Sequence, residues 1–295
     1  MAIPTQPTET TIIQKAYRLY GLPNPSASAI TDALDGIAMV RNDLMDEGRE
    51  WAFLRKTEYT DTTINQSHVQ APTDYIKLIS AAILDGTRRN TAQTGASSSI
   101  TLAAADNGGE ADTEGKQIAI TGGTGDGQAR QIIDFNTSTK VATIDQAWTT
   151  TPDSTSVYLV VDDSRQLNTK QVWNYTEIQQ THLKDEPTRV YHFADNAEGD
   201  FYFDYTPDKI YGVRIDYYSD LRKEDTDTSA NPRYARILRL LEQLFVQGVF
   251  VWLLQNDSRQ PLELQKYSSL ISRQASQFLY ANNAFLSAEL AEDVY

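Results

Sequence analysis

The spacing of apolar residues predicts two helices at the start of the chain. Ile12 and Ala16 stand among apolar residues at helical spacing over residues 8–19. The glycine and prolines of 21–25 end this helix, and a second helix is predicted over 26–47. Two helices joined by a proline-containing corner form a helical hairpin.

The pattern changes to alternation after residue 54. Residues 57–64 are β-branched and near-alternating, and 189–193, 200–205 and 210–218 are strand-like as well. Pairing of aromatic and β-branched side chains across strands explains the high tyrosine density in this part of the chain. A carbohydrate-stacking face is the functional alternative. The tyrosines concerned are Tyr175, Tyr191, Tyr202, Tyr205, Tyr211, Tyr217 and Tyr218.

Residues 87–163 differ in composition from both flanks. They are rich in Thr, Ser, Gly and Asp, and short strand patterns alternate with turns. The sequence therefore predicts a separate all-β module inserted into the surrounding chain. Its glycine-rich loop, 122–127, lacks the Lys and Ser/Thr of a phosphate-binding loop and lies between strands, so we expect a hairpin turn there.

The last third of the chain returns to helical patterning. Asn231 and Pro232 suit a helix start, and the predicted helix reaches about Gln255. Residues 240–254 are apolar almost all round, which indicates burial by the protein's own domain or by neighbouring copies. A further helix is predicted over 261–290. The candidates for subunit packing are Phe245, Phe250 and Trp252.

Composition and charge narrow the function classes. The 295 residues carry 40 acidic against 26 basic side chains, a net charge of −14. This balance argues against nucleic-acid binding over the whole surface, but it suits the wall of a conduit that must repel DNA. The absence of cysteine excludes disulfides, thiolate metal sites and a cysteine nucleophile. We expect neither a signal peptide nor a membrane span.

Residues that would carry catalysis are scarce. Only three histidines occur: His68, His182 and His192. They lack metal-ligand spacing, and we expect all three at the surface. No nucleotide, calcium, zinc or catalytic-triad pattern is present, so the sequence predicts a protein that is not an enzyme and needs no cofactor or metal. A carboxylate pair among Asp200, Asp204 and Asp216 stays open as the enzymatic alternative.

Several short motifs carry a resemblance to a known family. They stand in this order: a helical hairpin with Leu34, Ile37, Asn42, Leu44 and Trp51, then residues 57–60, 71–75, Trp173, 186–191 and 200–207. In element order and in these motifs, residues 1–86 and about 165–255 resemble the head-to-tail adaptor, or head-completion, proteins of short-tailed bacteriophages.

This resemblance implies a fold class and a domain organisation. The expected fold is α+β, with a helical-bundle collar domain, a β-sheet region and the inserted all-β module. The collar would consist of the N-terminal helical hairpin and long C-terminal helices. The adaptor body would comprise residues 1–86 and 164–257, the module residues 87–163, and a C-terminal helical arm residues 258–295.

The resemblance also implies a function. Such adaptors are structural virion proteins that form a ring at the head–tail junction, commonly of twelve copies. They bind the portal protein and downstream tail (nozzle or fibre) proteins, and DNA passes through their channel without specific binding. The chain would therefore belong to the virion, with a stay in the host cytoplasm during assembly, and would have no membrane partner.

The C-terminal segment is the candidate portal-binding arm. Gln274 and Asn282 interrupt its apolar stripe, which suits an arm that stays soluble before assembly and then docks onto another chain. The same helix could instead complete the protein's own core. The residues proposed for portal contact are Tyr267, Ile271, Phe278, Phe285 and Leu286.

The inserted module supplies a second resemblance. Residues 127–136, 141–144, Trp148 and 152–154 are similar to a small β-module that recurs in phage virion proteins. The compact adaptors lack such an insertion, so its role does not follow from theirs. The alternative function is therefore a tail- or fibre-associated protein whose module binds a glycan or another virion protein.

Overall fold

The computed structural model divides the chain into two compact units. Among the described residues, the helical unit contains those up to Leu54 and those from Asp220 to Asn256, and the sheet unit contains those within Arg55–Ser219. The described residues are 7–46, 51–86, 88–172, 183–193, 199–224, 226 and 231–256.

Five α-helices lie among the described residues of the helical unit. They are α1 (Glu9–Tyr20), α2 (Ala27–Asp32), α3 (Leu34–Asp46), α4 (Pro232–Leu240) and α5 (Glu242–Asn256). α1 begins at a capping box, in which the N–H of Thr8 donates to Thr11 Oγ1 at 2.8 Å and the N–H of Thr11 donates to Thr8 Oγ1 at 3.2 Å. It ends at Gly21, whose φ of 92° is left-handed, so the predicted corner is present.

Two predicted helices are broken where neither proline nor glycine stands. The helix predicted over 26–47 is interrupted at Ala33, between α2 and α3. The helix predicted over 231–255 is interrupted at Leu241, where α4 and α5 meet at a bend of 75°. Ala33 and Leu241 are both buried, so tertiary packing stabilises these breaks, and helix propensity contains no signal for them.

Gly36 allows α3 and α5 to pack at close range. A Cβ atom at this position would stand 3.2 Å from Cβ and Cγ of Trp252 and 3.3 Å from Cα of Val249. These distances are shorter than ordinary carbon contacts, so a larger residue would push the helices apart. The helical unit therefore depends on a small residue where its first and last parts meet.

A buried polar network also joins the N-terminal and C-terminal segments of the helical unit. The Tyr234 hydroxyl donates to Glu9 Oε1 at 2.6 Å, and the Arg41 guanidinium lies 5.4 Å from the Tyr234 ring centroid. Arg41 Nε also donates to the carbonyl oxygen of Leu221 at 3.0 Å. Burial, and then the Glu9 carboxylate, raise the pKa of Tyr234, so its hydroxyl remains the donor.

Fifteen strands among the described residues form three sheets. The strands are β1 (Arg55–Asp61), β2 (His68–Gln70), β3 (Tyr75–Asp85), β4 (Arg88–Thr91), β5 (Thr94–Ala96), β6 (Ser99–Thr101), β7 (Gln117–Gly122), β8 (Ala129–Asn136), β9 (Val141–Ile144), β10 (Val157–Val161), β11 (Asp163–Gln166), β12 (Asn168–Val172), β13 (Arg189–Phe193), β14 (Asp200–Phe203) and β15 (Gly212–Ser219). The strand orders are β1-β15-β3-β11, β12-β13-β14-β2 and β4-β10-β7-β8-β9-β6-β5.

The two four-stranded sheets share one core and one bent strand. β11 and β12 are separated only by Leu167, whose buried side chain marks the point where the chain passes from the first sheet to the second. Side chains of both sheets form a single apolar cluster, which includes Ile83 of β3 and Phe203 of β14. β12 and β13 pair in parallel, and the other neighbours in these sheets are antiparallel.

The seven-stranded sheet closes on itself. Its first and last strands, β4 and β5, are consecutive along the chain and separated only by Ala92 and Gln93, so they are two halves of one bent strand. All neighbouring strands are antiparallel. Apolar side chains fill the interior, among them Phe135 and Tyr158.

The expected fold class is wrong. Strands hold 36% of the described residues and helices 27%, so sheets, and not a helical-bundle collar, predominate in the part of the chain that the structure describes. α4 and α5, with 9 and 15 residues, are not the long C-terminal helices of such a collar. Apolar residues at helical spacing give a strong signal over a long window, whereas short strands give a weak one. Prediction from sequence therefore overestimates the share of helix in this chain. The helix predicted over 261–290 falls outside the described residues.

Every strand of the closed sheet comes from residues 88–161, inside the stretch predicted as an inserted module. The chain leaves for the closed sheet at the end of β3 and returns at the start of β11. These two strands pair, with Asp85 opposite Asp163, so the ends of the stretch lie side by side as an insertion requires. The bounds 87–163 stay a prediction, as do those of the other two segments.

The closed sheet contacts the first four-stranded sheet through a small apolar cluster. Its members are Tyr59, Leu84, Ala119 and Leu159. Arg89 of the closed sheet forms an ion pair with Asp61 beside this contact. Gly86 stands where the chain enters the closed sheet, and a Cβ atom there would collide with the carbonyl oxygen of Val160.

We expect Gly86→Ala to lower the free energy of unfolding by about 1–3 kcal/mol, because an added methyl group at a filled site displaces the backbone. Urea denaturation followed by circular dichroism measures the change. Gly122→Ala is the matched control, since its Cβ would meet Val157 at an ordinary distance of 3.7 Å. Equal stability of the two variants would contradict the close contact at Gly86.

Excision of residues 88–161 tests whether the closed sheet is an insertion. We expect the shortened protein, with a short glycine linker, to stay folded, because β3 and β11 keep their own hydrogen bonds. It loses the ion pair of Arg89 and the cluster around Leu159, so its melting temperature should be lower while the transition stays cooperative. A shortened protein without a cooperative thermal transition would count against an insertion.

Candidate interaction surface

The structure describes three of the eight residues singled out for contacts with other chains. Phe245 is fully buried, whereas Phe250 and Trp252 are half-buried. The chain itself encloses Phe245, and the assignment of these three residues to subunit packing stays a prediction. The candidate portal-binding residues lie outside the described residues: Tyr267, Ile271, Phe278, Phe285 and Leu286.

Phe250 belongs to a half-buried apolar face of α5. Val246, Phe250 and Leu254 follow one another at four-residue spacing, so they share one side of the helix, and all three are half-buried. Two glutamines flank them on the same side. We define the outer face of α5 as Gln243, Val246, Gln247, Phe250 and Leu254.

The outer face continues into a shallow depression between α1 and α5. The depression is lined by Lys15, Leu19, Glu242, Gln243, Val246 and Gln247. Leu19 is 60% exposed, and Lys15 forms an ion pair with Glu242. The side-chain oxygen of Gln247 is buried and finds no hydrogen-bond partner within the described part of the chain. A buried acceptor without a donor costs about 1–3 kcal/mol.

Sequence reasoning singled out Phe250 but missed the other residues of this face. Within the apolar run 240–254 nearly every residue is apolar, so the run itself does not show which side faces outward. The usable signal is the pair Gln243 and Gln247, one turn apart in an otherwise apolar stretch. Polar residues at that spacing mark the less buried side of a helix.

Three motifs on which the family resemblance rests meet in the sheet unit. Asp204 accepts hydrogen bonds at 3.0 Å from the N–H groups of Thr188 and Arg189, and at 2.6 Å from the Thr188 hydroxyl. Tyr75 packs edge-on against Phe201, with 5.0 Å between ring centroids. Residues from 71–75, 186–191 and 200–207 therefore form one packing unit, in which Asp204 has a structural role.

Glu58 lies among other carboxylates in the sheet unit. Burial, and then the negative charges of Asp74 and Asp126, raise the pKa of Glu58. The Tyr217 hydroxyl donates to Asp74 at 2.8 Å and to Glu58 at 3.4 Å, and Lys56 forms an ion pair with Asp74. Glu58 therefore makes the stability of the sheet unit depend on pH.

The residues that the structure describes contain no group of three or more His, Asp or Glu side chains that could hold a metal ion. His68 is half-buried, with Nε2 at 2.8 Å from Gln66 Nε2 and at 3.7 Å from Asp200 Oδ2. His192 is only 8% exposed, and its Nδ1 lies 3.4 Å from the Tyr75 hydroxyl. The expected surface location is thus wrong for His192, because a buried tyrosine provides it with a polar partner. His182 lies outside the described residues.

The aromatic side chains of the closed sheet are internal. Phe135, Trp148 and Tyr158 are 1%, 5% and 0% exposed, and residues 88–161 contain no other aromatic residue. A sugar-stacking platform needs an exposed ring, so this sheet does not offer one. Core packing also accounts for most of the tyrosines of the other sheets. The buried ones are Tyr191, Tyr211, Tyr217 and Tyr218.

Side chains of the motif that carries the second resemblance, residues 127–136, bind the backbone of residues 147–150. Gln128 Nε2 donates to the carbonyl oxygen of Thr150 at 2.9 Å, and Arg130 Nη2 donates to that of Ala147 at 3.1 Å. The Arg130 guanidinium lies 5.7 Å from the Trp148 ring centroid. The preceding glycine-rich loop joins β7 to β8, which are antiparallel, so it is a hairpin connection. The motif therefore maintains the closed sheet.

Comparison with known proteins assigns the chain to no family. No protein-family model matches the chain, and no curated protein matches it in sequence. Among the described residues, no single helix is long and apolar enough to cross a membrane. α4 and α5 would meet the length and composition criteria only as a pair, across their 75° bend.

The raised pKa of Glu58 predicts a pH dependence that a single substitution removes. The folded state holds this proton more tightly than the unfolded state, so the stabilisation is complete below the ordinary glutamate pKa. It is lost as pH rises through the raised value. We expect Glu58→Gln, which keeps an acceptor for Tyr217, to flatten the decline in stability as pH rises above the ordinary glutamate pKa of about 4.3.

Denaturation midpoints across this pH range measure the effect. Glu110→Gln, a change at an exposed glutamate of the sheet unit, is the control and should keep the decline of the parent protein. If Glu58→Gln shows the same decline as the parent, the carboxylate is not the group responsible.

Proposed function

We propose that the protein is a structural virion protein, a ring-forming head-to-tail connector that joins the portal to the tail and forms part of the DNA channel. The observation that carries this proposal is the contact among the motifs of the resemblance. Asp204 binds Thr188, and Tyr75 packs on Phe201, so motifs scattered along the chain form one packing unit. Residues that specify a shared protein body are expected to behave in this way.

The surface of the helical unit supports an assembly role. Leu19, Leu22 and Leu34 are 60%, 53% and 40% exposed, and the outer face of α5 adds half-buried apolar side chains. Apolar surface of this kind favours contact with other chains. The unit that the resemblance assigns to the ring is therefore also the one whose described residues present an apolar helix face.

The charge of the chain supports passage of DNA without binding. A net charge of −14 disfavours association of the chain with phosphate groups. The glycan-binding alternative has weaker physical support, because the closed sheet keeps all three of its aromatic rings inside.

A mass measurement tests the ring. We expect native mass spectrometry of the protein, alone or mixed with the portal protein of the same virion, to show a species of about twelve times the 33.1 kDa chain. Phe278→Ala and Phe285→Ala should each weaken attachment to the portal by about 2 kcal/mol. Glu110→Gln should attach normally. A protein that stays monomeric with and without the portal would contradict the proposal.

A further inference from the structure

Four side chains on and beside the first four-stranded sheet meet around one ion pair. Lys56 of β1 forms this pair with Asp74, which stands just before β3, and the two side chains are only 27% and 13% exposed. The Tyr217 hydroxyl of β15 donates to Asp74 Oδ1 at 2.8 Å, and its oxygen lies 3.4 Å from Glu58 Oε2. The group therefore consists of an amino group, two carboxyl groups and a phenol that joins them.

The sheet itself fixes this arrangement. Lys56 stands directly opposite Tyr217 in the β1–β15 ladder, and Tyr217 stands opposite Leu78 in the β15–β3 ladder. Glu58 follows Lys56 by two residues, so both side chains lie on one face of β1. Tyr217 is buried, and Tyr75 packs against it with 6.1 Å between ring centroids. Backbone pairing and ring packing therefore hold the four groups in place.

Glu58 is the member of this group that is suited to be a neutral acid. Burial, and then the negative charges of Asp74 and Asp126, raise the pKa of Glu58. The glycine-rich loop covers this side chain, since a Cβ atom at Gly127 would stand 3.5 Å from Glu58 Cγ. A hydroxyl has only one proton, so while Tyr217 donates to Asp74, a protonated Glu58 donates to Tyr217. A path for a proton then leads from Glu58 through Tyr217 to Asp74.

We propose that Lys56 and Asp74 form an isopeptide bond within the chain, with Glu58 and Tyr217 as the proton relay. The Lys56 nitrogen attacks Cγ of Asp74, a C–N bond forms, and the bond from Cγ to Oδ1 breaks. Of the three protons on the Lys56 ammonium group, one stays on the amide nitrogen and two leave with Oδ1 as water. Glu58 supplies a proton to Oδ1 through Tyr217 and regains one from the nitrogen. No atom is oxidised or reduced, so the step needs no cofactor.

The position of the two groups favours this reaction over a permanent ion pair. A free amine and a free carboxylate do not condense in water, because both are charged and solvated there. Within the sheet the partners are already oriented, and effective concentrations of well-oriented groups reach about 10⁵–10⁸ M. Partial burial of Lys56 and Asp74 also favours the neutral amine and acid, since desolvation disfavours charge. The product amide is neutral and keeps an acceptor for the Tyr217 hydroxyl.

The bond would act as a covalent staple of the first sheet. It joins the edge strand β1 to the start of β3, across the intervening strand β15. The same edge strand contains Tyr59 and Asp61, which contact the closed sheet. β1 could then not separate from β3 without cleavage of an amide, so the staple would also secure the surface on which the closed sheet packs. This inference holds whether or not the protein forms a ring.

Intact-mass spectrometry of the purified full-length protein tests the bond. We expect most molecules to be lighter than the sequence requires by one water molecule, and proteolysis to release a branched peptide that joins Lys56 to Asp74. Lys56→Arg and Asp74→Ala should each restore the full mass. Lys116→Arg, at the more exposed ion pair with Asp162, is the matched control and should keep the deficit. The full mass in the parent protein would overturn the proposal, and so would a deficit located elsewhere in the chain.

Two variants that keep both reacting residues test the relay. Glu58→Gln still donates a hydrogen bond to Tyr217 but has no acidic proton to transfer, and Tyr217→Phe keeps the buried ring but removes the hydroxyl. We expect both to show the circular dichroism of the parent. After cell-free synthesis, each should acquire the mass deficit about 100-fold more slowly than the parent. A purely structural ion pair would give the full mass in all of these proteins, and parent-like rates in both variants would overturn the relay.

Discussion

The antiparallel ladder between β3 and β11 is the interaction on which the sheet unit depends. It runs from Asp85 opposite Asp163 to Ala82 opposite Gln166, and it completes the first four-stranded sheet. It also holds Leu167 at the point where the chain turns into the second sheet, and it brings together the two ends of the closed sheet. β3 pairs with β15 on its other side. This one central strand therefore takes part both in the first four-stranded sheet and in the attachment of the closed sheet.

The sheet unit and the helical unit differ in how their polar and apolar side chains are placed. In the sheet unit, polar side chains have structural partners: Asp204 holds Thr188, and Tyr217 holds Asp74. In the helical unit, α5 is apolar on nearly all sides, so packing on one side against the core leaves part of its apolar surface exposed. Polar side chains with structural partners and a partly exposed apolar helix face fit the proposed role in an assembly.

Elements with local signals are predictable from this sequence, whereas features set by distant contacts are not. The end of α1 at Gly21 and the strands β13, β14 and β15 stand where capping residues and alternation predict them. The helix breaks at Ala33 and Leu241 have no breaker residue, but the residue at each break is buried, so its tertiary packing stabilises the break. The sequence also contains no signal for the passage of the chain from the first sheet to the second at Leu167, because this passage is determined by pairing with β3 on one side of Leu167 and with β13 on the other. For the candidate surface, an aromatic residue in an apolar run identifies Phe250. Whether Phe245 is buried or exposed depends on the orientation of the helix, which a uniformly apolar run does not encode.

The geometry of the β3–β11 ladder determines how the sheet unit responds to mechanical force. Asp85 and Asp163, the residues through which the chain enters and leaves the closed sheet, lie at the same end of the ladder. The hydrogen bonds of an antiparallel ladder lie perpendicular to its strands. A pull on the closed sheet, directed away from the other two sheets, therefore loads these bonds one after another from the Asp85 end instead of all at once. Sequential loading makes such a ladder open like a zipper at low force. Under tension, we expect the β3–β11 ladder to open before the interior of the closed sheet begins to unfold.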